Sequence, residues 1–184
     1  MMIDLRDEGL PVGLEVGGLF FPIDTDFHVW IRWAVDAQTA RKAGSYIFTG
    51  DVPDDDGWVE AAAEFAACKT ETPHGLSSNG PRVFDYIEDG GRIVAAFQQC
   101  YGIDLTDCHM HWWRFRALLD NLPDGTALGK VMQYRGYTKP SREKDAEHQY
   151  WSRMKRAYSL PALRTPEDAR AIEVQKEAFG RLHL

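Results

Sequence analysis

Residues 101–122, YGIDLTDCHMHWWRFRALLDNL, constrain the fold more than any other stretch of the chain. Gly102 breaks the preceding element, and Asp104 and Asp107 mark a short acidic turn. Beyond it, Trp112, Phe115, Leu119 and Leu122 recur at steps of three, four and three, which puts them on one face of a helix. Two adjacent tryptophans carry a large apolar area that is costly to leave in water. Such a helix belongs at the centre of a core, and its residue types are those of packing rather than catalysis. Neighbours on a helix diverge by about 100°. With Trp112 on the core face, Trp113 either reaches a second layer of the core or faces a partner. Arg114 and Arg116 point to different faces, and one of them meets solvent or a partner.

Around this helix the spacing predicts a mainly α protein: five to six helices with one small N-terminal β-hairpin. The hairpin spans 14–23, where Gly17-Gly18 suits the positive φ angles of a tight two-residue turn and Pro22 marks an edge strand. A first helix starts after Thr25 or Asp26 and carries Phe27, Trp30, Ile31 and Ala34, with Gly44 past its end. A second opens in Asp54-Asp55-Asp56, whose charges favour a helix N-terminus, and carries Trp58, Ala61, Ala62, Phe65 and Cys68. Residues 72–81 hold Pro, His, Gly, Ser and Asn and read as a flexible loop.

Phe84-Asp85 opens a third helix, with Asp85 and Glu88 as an imperfect capping box and Ile93, Val94, Phe97 and Tyr101 as its apolar line. Gly90-Gly91 then falls inside that helix, a weakness of roughly 1 kcal/mol per glycine, or the helix starts later. After the aromatic helix, 123–125 form a turn and Thr126 caps a short helix through Val131, Met132 and Tyr134. Ala146, Tyr150, Met154 and Ala157 give a further helix that ends at Leu160-Pro161. Thr165 and Pro166 open a last one through Ile172 and Phe179. The domain organisation expected is one helical domain over 1–161 and a C-terminal helical extension over 162–184. The tail helix is charged around a thin apolar line, so Ile172 and Phe179 are candidate partner-binding residues along with Trp113, Arg114 and Arg116.

Charge narrows the function. The net charge of −7 argues against a nucleic-acid binder, which needs a basic surface to displace counterions. The charge is also uneven. Residues 1–60 hold 12 acidic and 4 basic residues, net −8, and 135–156 hold 7 basic and 3 acidic, net +4. That asymmetry can steer a partner or a second copy. Three cysteines without CxxC spacing fit a reducing cytoplasm. No apolar run approaches the roughly 20 residues that span a bilayer. No membrane association is expected.

Nothing in the chain composes a catalytic constellation. Cys108, His109, Met110 and His111 are consecutive, so at most two could face one ion, and no second ligand pair exists. Asp51 and Asp54–56 lack the alternation, central Gly and terminal Glu of a calcium loop. GxGxxG, GxxxxGK[ST] and GxSxG are absent, and Cys100 reads as a small core residue. No metal, cofactor or enzymatic activity is expected.

Several phrases resemble one family, the gene-product-fifteen family of long-tailed bacteriophages. They are FDYIE at 84–88, FQQCYGIDL at 97–105 and HWWRFRALL at 111–119. In the same order, Leu10-Pro11, Thr25-Asp26-Phe27, 126–135 ending in Arg135, and MKRAYSL at 154–160 are similar to the family's segments. The resemblance covers about 10–161. This chain departs from it at His28, at Gly90-Gly91, at Tyr134 and in the tail beyond Pro161. The resemblance implies a tail assembly chaperone encoded beside the tape measure gene. Such a protein coats the tape measure protein until the tail tube polymerises around it, works in the cytoplasm of the infected bacterium, and is missing from the mature virion. The partners implied are the tape measure protein, with the tail tube protein as a further candidate and self-association along the client. The alternative is a structural tail completion or connector protein of the virion.

Overall fold

Gly17 and Gly18, with φ of 58° and 79°, turn the chain between strands β1 (Gly13–Val16) and β2 (Leu19–Pro22). Both values lie in the left-handed region that favours glycine, as the two-residue hairpin turn requires. The computed structural model describes residues 9–38, 44–68, 81–139 and 145–162. Among them are this one hairpin, six α-helices and a short 3-10 turn at Ser45–Ile47, so the chain is mainly α. It divides into two compact units, one built on Pro11–Ala66 and the other on Ala67–Pro161.

In the first unit the hairpin pairs Leu14 with Phe21 and Val16 with Leu19, so that Leu14 and Val16 are buried on one face. Helix α1 (Phe27–Gln38) follows as expected from Asp26, whose carboxylate accepts the His28 backbone N–H at 3.0 Å. Trp30 is completely buried, its ring 4.4 Å from that of Phe65 on helix α2 (Trp58–Ala66), and its indole N–H donates to the Asp24 carbonyl at 2.7 Å. That bond removes the cost of burying an indole donor. Trp33, one turn on, is also buried, which the apolar line of α1 left out. The acidic run before α2 works as expected: Asp55 accepts the Gly57 N–H at 2.8 Å. Cys68 does not extend the face of α2. It lies two residues past the helix, buried, with φ of 53°. The residues after Gln38 at the end of α1, the expected loop at 72–81 apart from Pro81, and the tail helix lie outside the described residues.

The second unit holds α3 (Gly90–Tyr101), α4 (Trp112–Asp120), α5 (Ala127–Gly136) and α6 (Asp145–Ala157). Helix α3 does not open at Phe84-Asp85. Asp85 Oδ1 instead accepts the N–H groups of Ile87 and Glu88 at 2.8 and 2.9 Å and closes a separate turn. Asp89 ends that turn and is the N-cap position of α3, so Gly90 and Gly91 form the first turn of the helix. There the interior glycine penalty is largely avoided. Gly102, with φ of 67°, ends α3, and its N–H returns to Gln98 and Phe97.

The aromatic helix sits where its sequence put it. Trp112 and Phe115 are 1 % and 0 % exposed. Phe115 stacks on Phe97 of α3 at 5.2 Å and on Trp112 at 5.7 Å. Tyr101 Oη donates to the Leu118 carbonyl at 2.9 Å, satisfying a free acceptor near the end of α4. Thr126 caps α5 as expected, accepting from Gly129 N–H at 3.0 Å.

Helix α6 corrects its assigned face. Ala146, Tyr150 and Ala157 are exposed, and the inward side is carried by Trp151, which stacks on Tyr137 at 5.5 Å, and by His148, bonded to Tyr137 Oη at 2.9 Å. The aromatic body of Trp151 outweighs two alanines as an anchor, because burial energy scales with apolar area.

Beneath these helices lies a buried ion pair. Asp89, with no exposure, accepts two bonds from the Arg135 guanidinium at 2.6 and 3.1 Å. Arg135 also donates to the carbonyls of Tyr158 at 2.6 Å and Val83 at 3.0 Å. Arg92 and the Asp85 N–H complete the shell of Asp89. One side-chain pair thus joins the start of α3, the end of α5 and the segment after α6.

Candidate functional site

The second unit carries an open groove of about 480 Å³ between α4, α5 and residues 83–84. Its apolar wall is Val83, Phe84, Leu119, Leu122, Leu128 and Met132, and its polar edge is Arg116, Asp120 and Asp124. The α4 stripe supplies Leu119 and Leu122: the first two residues of the stripe are in the core, and the last two come out half-buried at the groove. Gly129 opens the α5 side. A Cβ there would stand 2.9 Å from the Asp124 carbonyl oxygen and 3.0 Å from its Cα, so only glycine lets the preceding turn lie against the helix.

At one end of the groove Arg116 donates to Tyr86 Oη at 2.9 Å and to both carboxylate oxygens of Asp120 at 3.2 Å. Burial pulls the Arg116 guanidinium toward neutrality, but Tyr86 and Asp120 more than offset it and hold its pKa above the ordinary value. Burial pushes the Tyr86 phenol up, against the pull of Arg116. The edge of the groove is therefore a fixed cation beside a carboxylate, next to a row of aliphatic side chains. This arrangement suits an amphipathic segment with apolar anchors and a charged flank.

Of the candidate partner-binding residues that are described, only Arg116 lies at this groove. Trp113 is 3 % exposed, so it takes the first of its two expected places, in the core. Arg114 is exposed on the helix surface. Ile172 and Phe179 lie outside the described residues. The run at 108–111 divides by role. Met110 is buried, His109 is exposed, and His111 Nδ1 accepts the Trp113 backbone N–H at 3.1 Å as the N-cap of α4. A histidine can fill the cap position because its unprotonated ring nitrogen is an acceptor, which places the proton on Nε2. Among the described residues, no group of three or more His, Cys, Asp or Glu could hold a metal ion. The acidic turn at Asp104 is local: Thr106 donates twice to its carboxylate, at 2.6 and 2.9 Å, and holds its pKa below the ordinary range.

The groove falls within the part of the chain that matches a known family. The model for the bacteriophage Gp15 protein matches residues 55–160, more than half of the chain. The chain belongs to the bacteriophage Gp15 family. Helices α2 to α6 and the whole groove are inside the Gp15 match, and the hairpin and α1 are outside it. The similarity read from the sequence over residues 10–54 is thus not part of the matched region. No curated protein and no solved structure matches the chain.

Cys68 gives a direct check on the packing of this unit. Burial pushes its thiol up to about 12 from an ordinary value near 9; Arg116 works against the rise and Asp120 adds to it. The thiol is thus kept protonated in the fold. The stability this confers is complete below the unfolded pKa and is lost as pH rises from about 9 toward 12. In the native protein at about pH 8, Cys100 and Cys108, which are half-buried, are expected to react with a thiol reagent well before Cys68. All three react in urea. Equal rates for all three in the native protein would contradict this burial.

Proposed function

We propose that this Gp15 protein is a tail assembly chaperone of a long-tailed phage. It binds helical segments of the tape measure protein and keeps that protein soluble until the tail tube polymerises around it. Membership of the Gp15 family supports the phage setting, and the groove between α4 and α5 carries the binding reading. Six apolar side chains line it beside the Arg116–Asp120 pair, which suits the apolar anchors of an amphipathic helix and a polar flank. Each groove holds a short segment weakly, and many copies along one long client add through avidity. The chain acts by binding rather than catalysis, in the cytoplasm of the infected host, and leaves before the virion is complete.

Charges placed on the groove wall test this. Leu122→Glu with Met132→Glu is expected to weaken capture of the tape measure protein at least roughly tenfold. Circular dichroism should stay that of the parent, because both positions are only half-buried. Unchanged capture by the folded double variant would remove the groove from the account.

A further inference from the structure

The first unit has an exposed apolar face within an acidic surround. Leu19 and Val52 are 66 % and 45 % exposed, and both line a hollow of about 560 Å³ at the turn end of the hairpin. Asp51, Asp54 and Asp55 line the same hollow and are exposed. Residues 44–66 contain six carboxylates and no lysine or arginine. An occupant of this hollow therefore needs an apolar or aromatic body with cations on either side of it.

The second unit has a helix face of that kind. Ala146, Tyr150, Arg153 and Ala157 recur on α6 at steps of four, three and four, and all four are exposed. This is one continuous face. Tyr150 is 43 % exposed, yet its hydroxyl is 3.3 Å from that of Tyr134, so the ring is held in place. The Arg153 guanidinium lies over that ring at 6.0 Å, and Lys155 and Arg156 fill the last turn of the helix. Small residues on either side of the tyrosine let a second surface come close. Tyrosine and arginine are also the residue types that most often anchor interfaces.

We propose that this chain self-associates head to tail, the acidic hollow of one copy receiving the Tyr150–Arg153–Arg156 face of α6 from the next. Tyr150 enters between Leu19 and Val52, and the guanidiniums meet Asp51 and Asp54. The two surfaces differ, so the contact is heterologous. Each added copy leaves one hollow and one helix face open, and the assembly grows as a row or closes as a ring. This goes beyond the client groove, which uses neither surface.

Sedimentation velocity of the isolated full chain, with no client present, tests it. Across a roughly hundredfold range of concentration, the weight-average mass is expected at least to double. It should fall back toward one chain in high salt, which screens exposed charge pairs. Asp51→Lys with Asp54→Lys leaves the Asp55–Gly57 turn ahead of α2 intact and should hold the protein monomeric. Arg153→Glu with Arg156→Glu should do the same. Each reversed protein alone presents like charges to its own copies, but mixing the two should restore association, since each hollow then meets a helix face of opposite charge on the other protein. Combining all four changes in one chain should restore it. A chain that stays monomeric at every concentration overturns the proposal. So does association that either reversal leaves unchanged, or a four-change chain that remains monomeric while folded. Val52→Glu serves as a second disruption if either charge reversal fails to fold. Because no tape measure protein is present, a negative result here leaves the chaperone reading standing.

Discussion

Arg135→Ala is expected to destabilise the fold by about 3–5 kcal/mol, the usual result of breaking a buried ion pair on one side. Asp89 has no exposure and Arg135 is 6 % exposed, so water cannot replace the lost partner. The substitution removes two bonds to the carboxylate and one each to the carbonyls of Tyr158 and Val83. Arg92 still reaches Asp89 at 2.9 Å but is itself partly in solvent, so it compensates only in part. Chemical denaturation at neutral pH measures the loss. Most of it comes from the buried carboxylate that loses its main partner, so Asp89→Leu with Arg135→Met should recover much of the stability that either single change loses. A loss under about 1 kcal/mol for Arg135→Ala would mean that the pair is hydrated in solution.

Trp112→Ala is the second large effect, about 3–5 kcal/mol as a core truncation. Trp112 is 1 % exposed and packs between Phe115 at 5.7 Å and Tyr86 at 6.2 Å, with the Arg116 guanidinium 5.8 Å from its ring centre. The cavity left by an indole cannot close, because the stacked rings of Phe97 and Phe115 hold the neighbouring wall. Trp113→Ala should cost a comparable amount, since that residue is buried as well. A melting curve for Trp112→Ala that superimposes on the parent's would show that the indole is solvated, and the core assignment of α4 would fail.

The pattern of α4 was readable in the chain because helical spacing and aromatic area act together there. The same holds for the Gly17-Gly18 turn and the Thr126 cap, where the local chemistry settles the conformation. The start of α3 was less legible. Asp85 has the pattern of a capping box, but the second half of the box is missing: the Asp85 N–H donates to Asp89 rather than to Glu88. Asp89 is drawn there by Arg135, 46 residues away, and no periodicity reports a contact of that range. Helix α6 misled for a related reason. Its alanines match the helical period, but its anchor Trp151 lies among polar neighbours and is held by Tyr134 and Tyr137 from a preceding element. The groove was partly legible. Leu119 and Leu122 were read as core residues at the end of a stripe. Only the approach of α5, made possible by Gly129, shows that the stripe leaves the core before it ends.

Co-expression of this chain with the tape measure protein tests the chaperone reading most directly. The account predicts that the tape measure protein moves from the insoluble to the soluble fraction and elutes with this chain in one complex on size exclusion. A tape measure protein that stays insoluble, and a chain that elutes at its own position with no client bound, would contradict it.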